Sequence, residues 1–430
     1  MTNFSSHVQA SHVLASHVLA SHEKAHVQAL SNGLTLILDP MASVNSVAYS
    51  LLIPGGIVHD EPELLGESLV LGDLLHKGAG NFDAYGLINE FDYHAISHGE
   101  GASSTYFSLS GACIADKLPK GLELLSLMTL KAHLPADYLD PIKSVLLQDI
   151  ESLSDNPGRL CMLELSTKYY PSPYNYRSLG SIEGLAAVSH TSLSNRYKKT
   201  FRPKGSVLSI AGRFDTDETI GLIESLFGEW AGDGEAKIPF GAIQPNASHF
   251  LHSDSNQTQI ALAFPSAKFG DPDYYTAKIA HQILSGGMFG RLFLEVREKR
   301  GLCYSVNARH VSTKEYGTTI VYAGTTPERA QETLETIDKE FGRIGKDIEQ
   351  VELDRAIANQ LSSVFLSEDS SNGRASSNAG DWWLGGRVRS TSEVEQAFQS
   401  VTLSDLSLYF EKYTAIPRTM IVVGREPLTY

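Results

Sequence analysis

Apolar residues in this chain come as short runs closed by turn residues, alternating with longer stretches of helical spacing, and the same order occurs twice. In the first pass Val47–Ile53 ends at Pro54, an acidic turn follows around Asp60 and Pro62, and an apolar segment from about Leu64 to His76 closes at Gly78. In the second, Gln259–Phe264 ends at Pro265, Asp271 and Pro272 make the turn, and a segment from about Tyr274 to Leu284 closes at Gly286 and Gly287. Short apolar runs bounded by Pro predict strands. The longer segments that stop at Gly predict helices, because Gly takes positive φ freely after the last helical residue.

The parallel continues. Leu87–Phe91 resembles Leu292–Val296, and each leads into a pair of strand-like runs, with Thr105–Ser110 in one case and Thr318–Ala323 in the other. A long helix is predicted from near Lys117 and again from near Glu328. Each half closes alike, Pro203 before Val207–Ala211 and Gly212, Pro417 before Met420–Val423 and Gly424. Helices set between antiparallel strand pairs predict an α+β fold of two structurally similar halves, each an antiparallel or mixed sheet with helices packed on one face. The Gly- and Pro-rich stretch 231–246 is the expected linker between halves at 27–230 and 247–430.

Residues 6–25 repeat a five-residue unit, SHVQA SHVLA SHVLA SHEKA. A step of five advances a helix by about 140° past a full turn, so no apolar stripe forms. Residues 1–26 therefore read as a low-complexity leader or as translated upstream sequence. The last unit spells His22-Glu23-Lys24-Ala25-His26, an HExxH match. That motif needs a helix with a buried face, and the repeat itself generates these histidines, so the match is set aside.

A chain of 430 residues with a 42% apolar share can bury two cores. The balance of 35 basic against 50 acidic residues, a net charge of −15, argues against nucleic acid as partner. Three scattered cysteines, Cys113, Cys161 and Cys303, make no disulfide framework. With no apolar run near ~20 residues and no secretory signal, the expectation is a cytoplasmic protein without a membrane partner.

The stretch Leu292–Asn307, LFLEVREKRGLCYSVN, follows directly on SGGMFGR. It resembles the signature of the insulinase/pitrilysin and mitochondrial-processing-peptidase family, in its small-subunit form. Gly66 with Lys77-Gly78, Asp155-Asn156-Pro157 and Phe201-Arg202-Pro203 extend the resemblance in order from about residue 27. Active members of that family carry an inverted zinc motif, HxxEH, on the first helix, with a second Glu later in the chain. Aligned on Gly66 and Lys77-Gly78, this sequence has Leu69 and Asp73 at the two His positions, Gly72 at the general base, and Asp149 at the distal ligand. Leucine has no donor atom and glycine no side chain, while a catalytic zinc takes three protein ligands, imidazole among them. No metal is expected in this chain, and zinc is expected in a partner subunit. His94 and His98 read as strand neighbours about 13 Å apart, too far for one ion, and His76 as a helix-terminal residue facing the dipole.

The resemblance gives the second half another task. An Arg and a Tyr seven residues apart, here Arg297 and Tyr304, would hold a peptide carbonyl and stabilise an oxyanion in the partner's site. Read without the resemblance, Arg297, Lys299 and Arg300 complement a helix terminus and Tyr304 packs in a strand. Gly286, Gly287 and Gly290 lack the Lys-Ser/Thr of a phosphate loop and serve a tight turn. The chain thus resembles the non-catalytic subunit of a heterodimeric zinc metallopeptidase, partnered by an HxxEH-bearing homologous subunit and acting on peptide substrates. The alternatives are a structural or binding homologue with no part in proteolysis, and an autonomous peptidase with an unrecognised site.

Overall fold

The structure is a computed structural model and describes residues 25–234, 236–243 and 247–429. Strands β1 (His26–Ala29), β2 (Thr35–Pro40), β3 (Ser46–Pro54), β6 (Ser97–Ala102), β7 (Tyr106–Ile114) and β8 (Val207–Gly212) form a six-stranded sheet in the order β1-β2-β8-β3-β7-β6. A small hairpin, β4 (Gly78–Ala79) with β5 (Phe82–Asp83), stands apart. The second sheet takes β9 (Ser248–His252), β10 (Thr258–Ser266), β11 (Cys303–Ser312), β12 (Gly317–Thr325) and β13 (Thr419–Gly424) in the order β11-β12-β10-β13-β9. In both sheets one pair is parallel, β2 with β8 and β9 with β13, and the other pairs are antiparallel. Leaving out β1, the two sheets have the same strand order and polarity, so the chain is an α+β fold of two similar halves.

Alternation along the central strands divides their side chains between two faces. Val47, Tyr49, Leu51 and Ile53 of β3 join the core beneath the first half's own helices. Ala48 and Leu52 point the other way. There they meet Ala375 and Ala379 of the helix Ser371–Gly385, which belongs to the second half. The arrangement is reciprocal. The first half's helix Pro157–Tyr169 lays Cys161, Leu165 and Tyr169 on Ala261, Ala263, Ile421 and Val423 of the second sheet. Each half's own helices cover one face of its sheet, as the pattern predicts, and one helix from the opposite half covers the other. Small residues allow the approach: a Cβ on Gly158 would come within 2.7 Å of the Tyr322 hydroxyl.

A buried ion pair ties the same junction. Arg374 on the crossing helix donates through Nε and Nη2 to Asp39 of β2 at 2.9 and 3.0 Å, Asn378 adds a bond at 2.8 Å, and Arg374 also pairs with Glu368.

Two boundaries differ from expectation. The helix expected from Leu64 begins at Glu67, because Gly66 sits at φ +111 and separates it from a 3-10 turn at Pro62–Leu64. His26 lies in extended β1 with Ala25 just before it, and residues 1–24, which hold His22, Glu23 and Lys24 of the HExxH match and the rest of the leader, fall outside the described residues. The three cysteines are free and buried. Among the described residues no helix is long and apolar enough to cross a membrane.

Candidate functional site

Asp60 fixes the start of the helix Glu67–Leu74, accepting from the backbone N–H of Gly66 at 3.0 Å and of Ser68 at 3.1 Å. On this helix Leu69 is half-buried and Asp73 is exposed. Gly72 is buried against β6, where an added Cβ would stand 3.3 Å from Ala102 N and Gly101 Cα. A longer side chain at Gly72 would therefore have to displace strand backbone. Although Asp73 is exposed, surrounding protein pushes its carboxyl above the usual range, with His76 and Lys77 opposing. Asp149, at the surface on the helix Leu139–Glu151, is held by Arg159 through bonds of 3.1 and 3.3 Å that keep its carboxyl low. The set does not fit zinc. One position lacks a donor, one lacks a side chain, and one carboxylate is engaged by a guanidinium.

The nearby histidines gather round a different group. Glu100 on β6, nearly buried, receives His98 Nδ1 at 3.1 Å. His76 Nδ1 lies 2.5 Å from its other oxygen, close enough for an ion pair though poorly aligned for a hydrogen bond. His76 thus faces Glu100 rather than the helix dipole, because β6 crosses the helix end. His94 caps the helix Ala84–Tyr93 near Glu90, so the expected strand pair His94/His98 is a helix end and a strand. Among the described residues no group of three or more His, Cys, Asp or Glu side chains is placed to hold a metal.

Burial alone would raise the Glu100 carboxyl, but the contacts from His76 and His98 outweigh it and hold it down to about 2. A carboxyl depressed below its unfolded value stabilises the fold above the unfolded value, and this stability is lost as pH falls through the folded one. Glu100→Gln is therefore expected to be less stable than wild type at pH 6, by on the order of 3 kcal/mol at most. The gap should close between about pH 4.5 and pH 2, as urea unfolding at stepped pH would read. A gap that persists at pH 2 would show the carboxylate charge to be irrelevant.

In the second half the helix Tyr274–Ser285 takes the corresponding place. Its His281 is buried and neutral, held down to about 3 by burial first and by His310, and contacts the Ala277 carbonyl and the Thr319 hydroxyl. Past the Gly286–Gly290 turn, with Gly287 at φ +86, the chain makes a π-helical turn at Phe293–Glu298. Lys299 and Arg300 pair with Glu295. Arg297 does not join them. Its Cζ lies 4.9 Å from the Phe293 ring and 5.5 Å from the Tyr304 ring, and among the described residues it has no ion pair or side-chain hydrogen bond. A bulge between Cys303 and Ser305 turns Tyr304 outward, leaving it 81% exposed rather than packed in the strand. The structure thus brings Arg297 and Tyr304 together as an un-neutralised guanidinium beside a free phenol, a pair able to receive a carbonyl or carboxylate oxygen.

The fold thus has two like halves, with a first-half helix whose residues do not fit zinc and an Arg/Tyr pair in the second half. Residues 187–360 match the family model described as the peptidase M16 inactive domain. The "Uncharacterized zinc protease YmxG" of Bacillus subtilis is 27% identical over 377 residues, which span 86% of this chain and 91% of that one. The crystal structure of a peptidase M16 inactive domain from Pseudomonas fluorescens superposes with a TM-score of 0.87 at 22% identity, covering 95% and 99% of the two chains. A chain of complex III2 from Candida albicans shares the fold at a TM-score of 0.78 and 16% identity, with coverage of 93% and 96%. Over residues 187–360 the chain is thus similar to the peptidase M16 inactive domain, and over most of its length it shares that domain's fold.

Sequence reasoning passed over Glu100 as a partner for both His76 and His98. It also passed over Asp39, whose partner Arg374 lies 335 residues away. A carboxylate in the otherwise apolar run TLILDP was a signal for a buried ion pair.

Proposed function

We propose that this chain is the non-zinc subunit of a heterodimeric metallopeptidase, enclosing unfolded peptides with an HxxEH-bearing homologue and supplying Arg297 and Tyr304 to that partner's site. The observation that carries the reading is an un-neutralised Arg297 stacked on an exposed Tyr304, in a chain whose own helix lacks imidazole and general base. Zinc belongs to the partner in this reading. Strands β6 and β11, each at one edge of its sheet, offer open hydrogen-bonding edges to an extended peptide. The acidic balance of the chain and its three buried free thiols suit a cytoplasmic protein that does not bind nucleic acid.

Co-expression with an HxxEH homologue from the same genome is expected to yield a stable complex that cleaves unfolded peptides, while either subunit alone is inactive. Full activity of the partner alone would refute the proposal. It would favour a purely structural role.

A further inference from the structure

A cavity of about 450 Å³ opens between the halves. The first half contributes Ser103 and Ser104 from the β6–β7 turn, with Arg159 and Ser166 from the crossing helix. The second half contributes Arg309 of β11 and Tyr316. The cavity's charge is distinctive. Among the described residues its lining includes two arginines and no carboxylate, in a chain with 50 acidic residues and a net charge of −15. Arg159 is neutralised by Asp149 from outside the cavity. Arg309 has no ion pair or side-chain hydrogen bond among the described residues.

The strand explains the aim of Arg309. Val306 and Ala308 of β11 are buried in the second core, so alternation carries Arg309 to the opposite face. Tyr170 and Tyr316, with ring centroids 4.8 Å apart, stand at the same cavity. Burial raises the Tyr170 hydroxyl and the Arg309 charge opposes that rise, as its proximity requires. The cavity also lies at the Ala102 end of the edge strand β6, so a chain added along β6 would run into it.

We infer that this cavity is a subsite for a carboxylate carried by an extended peptide, with Arg309 as the anchor and Tyr170 and Tyr316 as the wall. The inference rests on the reading of the protein as a peptide binder and adds a preference to it. The carboxylate could be a peptide's C-terminus or an internal acidic side chain, and the test separates the two.

Fluorescein-labelled ten-residue peptides would be titrated by anisotropy against the full chain, alone and in complex with its HxxEH partner. One pair compares a free with an amidated C-terminus, and a second compares internal Glu with Gln in amidated peptides. At least one carboxylate peptide is expected to bind about tenfold tighter than its neutral counterpart, the scale of a charge-assisted hydrogen bond. The pair that shows the preference identifies the source. Arg309→Gln should abolish the preference while leaving neutral peptides unchanged, and because Arg309 is exposed its unfolding midpoint should match wild type. Equal binding of both members in both pairs, or a preference that survives Arg309→Gln, would overturn the subsite and leave peptide binding standing. No binding of any peptide would overturn both.

Discussion

Arg297→Ala, tested in the complex with an HxxEH-bearing partner, is expected to lower kcat for peptide cleavage about a hundredfold, the loss typical of one pre-aimed oxyanion donor. Two aromatic faces flank the guanidinium and among the described residues no carboxylate neutralises it, so on the proposed reading its charge would be available where negative charge develops in the reaction. Arg297→Lys keeps the charge but loses the planar fork and the stack, and should recover only part of the rate. Tyr304→Phe keeps the ring beneath Arg297 and removes the hydroxyl, so its loss should be smaller, about tenfold. None of the three should shift the unfolding midpoint much, because among the described residues neither side chain makes an ion pair. Cleavage by Arg297→Ala at the wild-type rate would end the assignment.

Asp39→Ala is expected to be the most damaging of the simple substitutions for stability. Removing one partner of a buried ion pair leaves the other charge uncompensated, at a cost of about 3–5 kcal/mol. Here Arg374 would retain Glu368, and Asn378 would lose its acceptor, so the lower end of that range is expected. Against a total stability of about 5–15 kcal/mol the loss is large. Urea unfolding followed by far-ultraviolet circular dichroism would measure it. A variant within about 0.5 kcal/mol of wild type would show that the pair contributes nothing net.

The doubled architecture was legible in the sequence because both copies punctuate their runs with the same Pro and Gly. Val47–Ile53 and Gln259–Phe264 were placed as strands to within one or two residues at either end. The crossing helices were not legible. Cys161, Leu165 and Tyr169 form an ordinary apolar stripe, and spacing alone does not tell which sheet a stripe will cover. The family resemblance set Leu69, Gly72 and Asp73 at the zinc positions, and their residue types offer no imidazole there. The proximity of Arg297 and Tyr304 was suggested by family resemblance, while the bulge that exposes Tyr304 depends on pairing between β11 and β12. Arg309 stayed hidden because its environment comes from three distant segments of chain.

The exchange of helices between halves bears on what this molecule tolerates. Severed at the connector, each piece would leave one sheet plane bare, an oily surface of Ala, Leu, Ile and Val with nothing to shield it from water. Neither piece could persist as a free-standing unit.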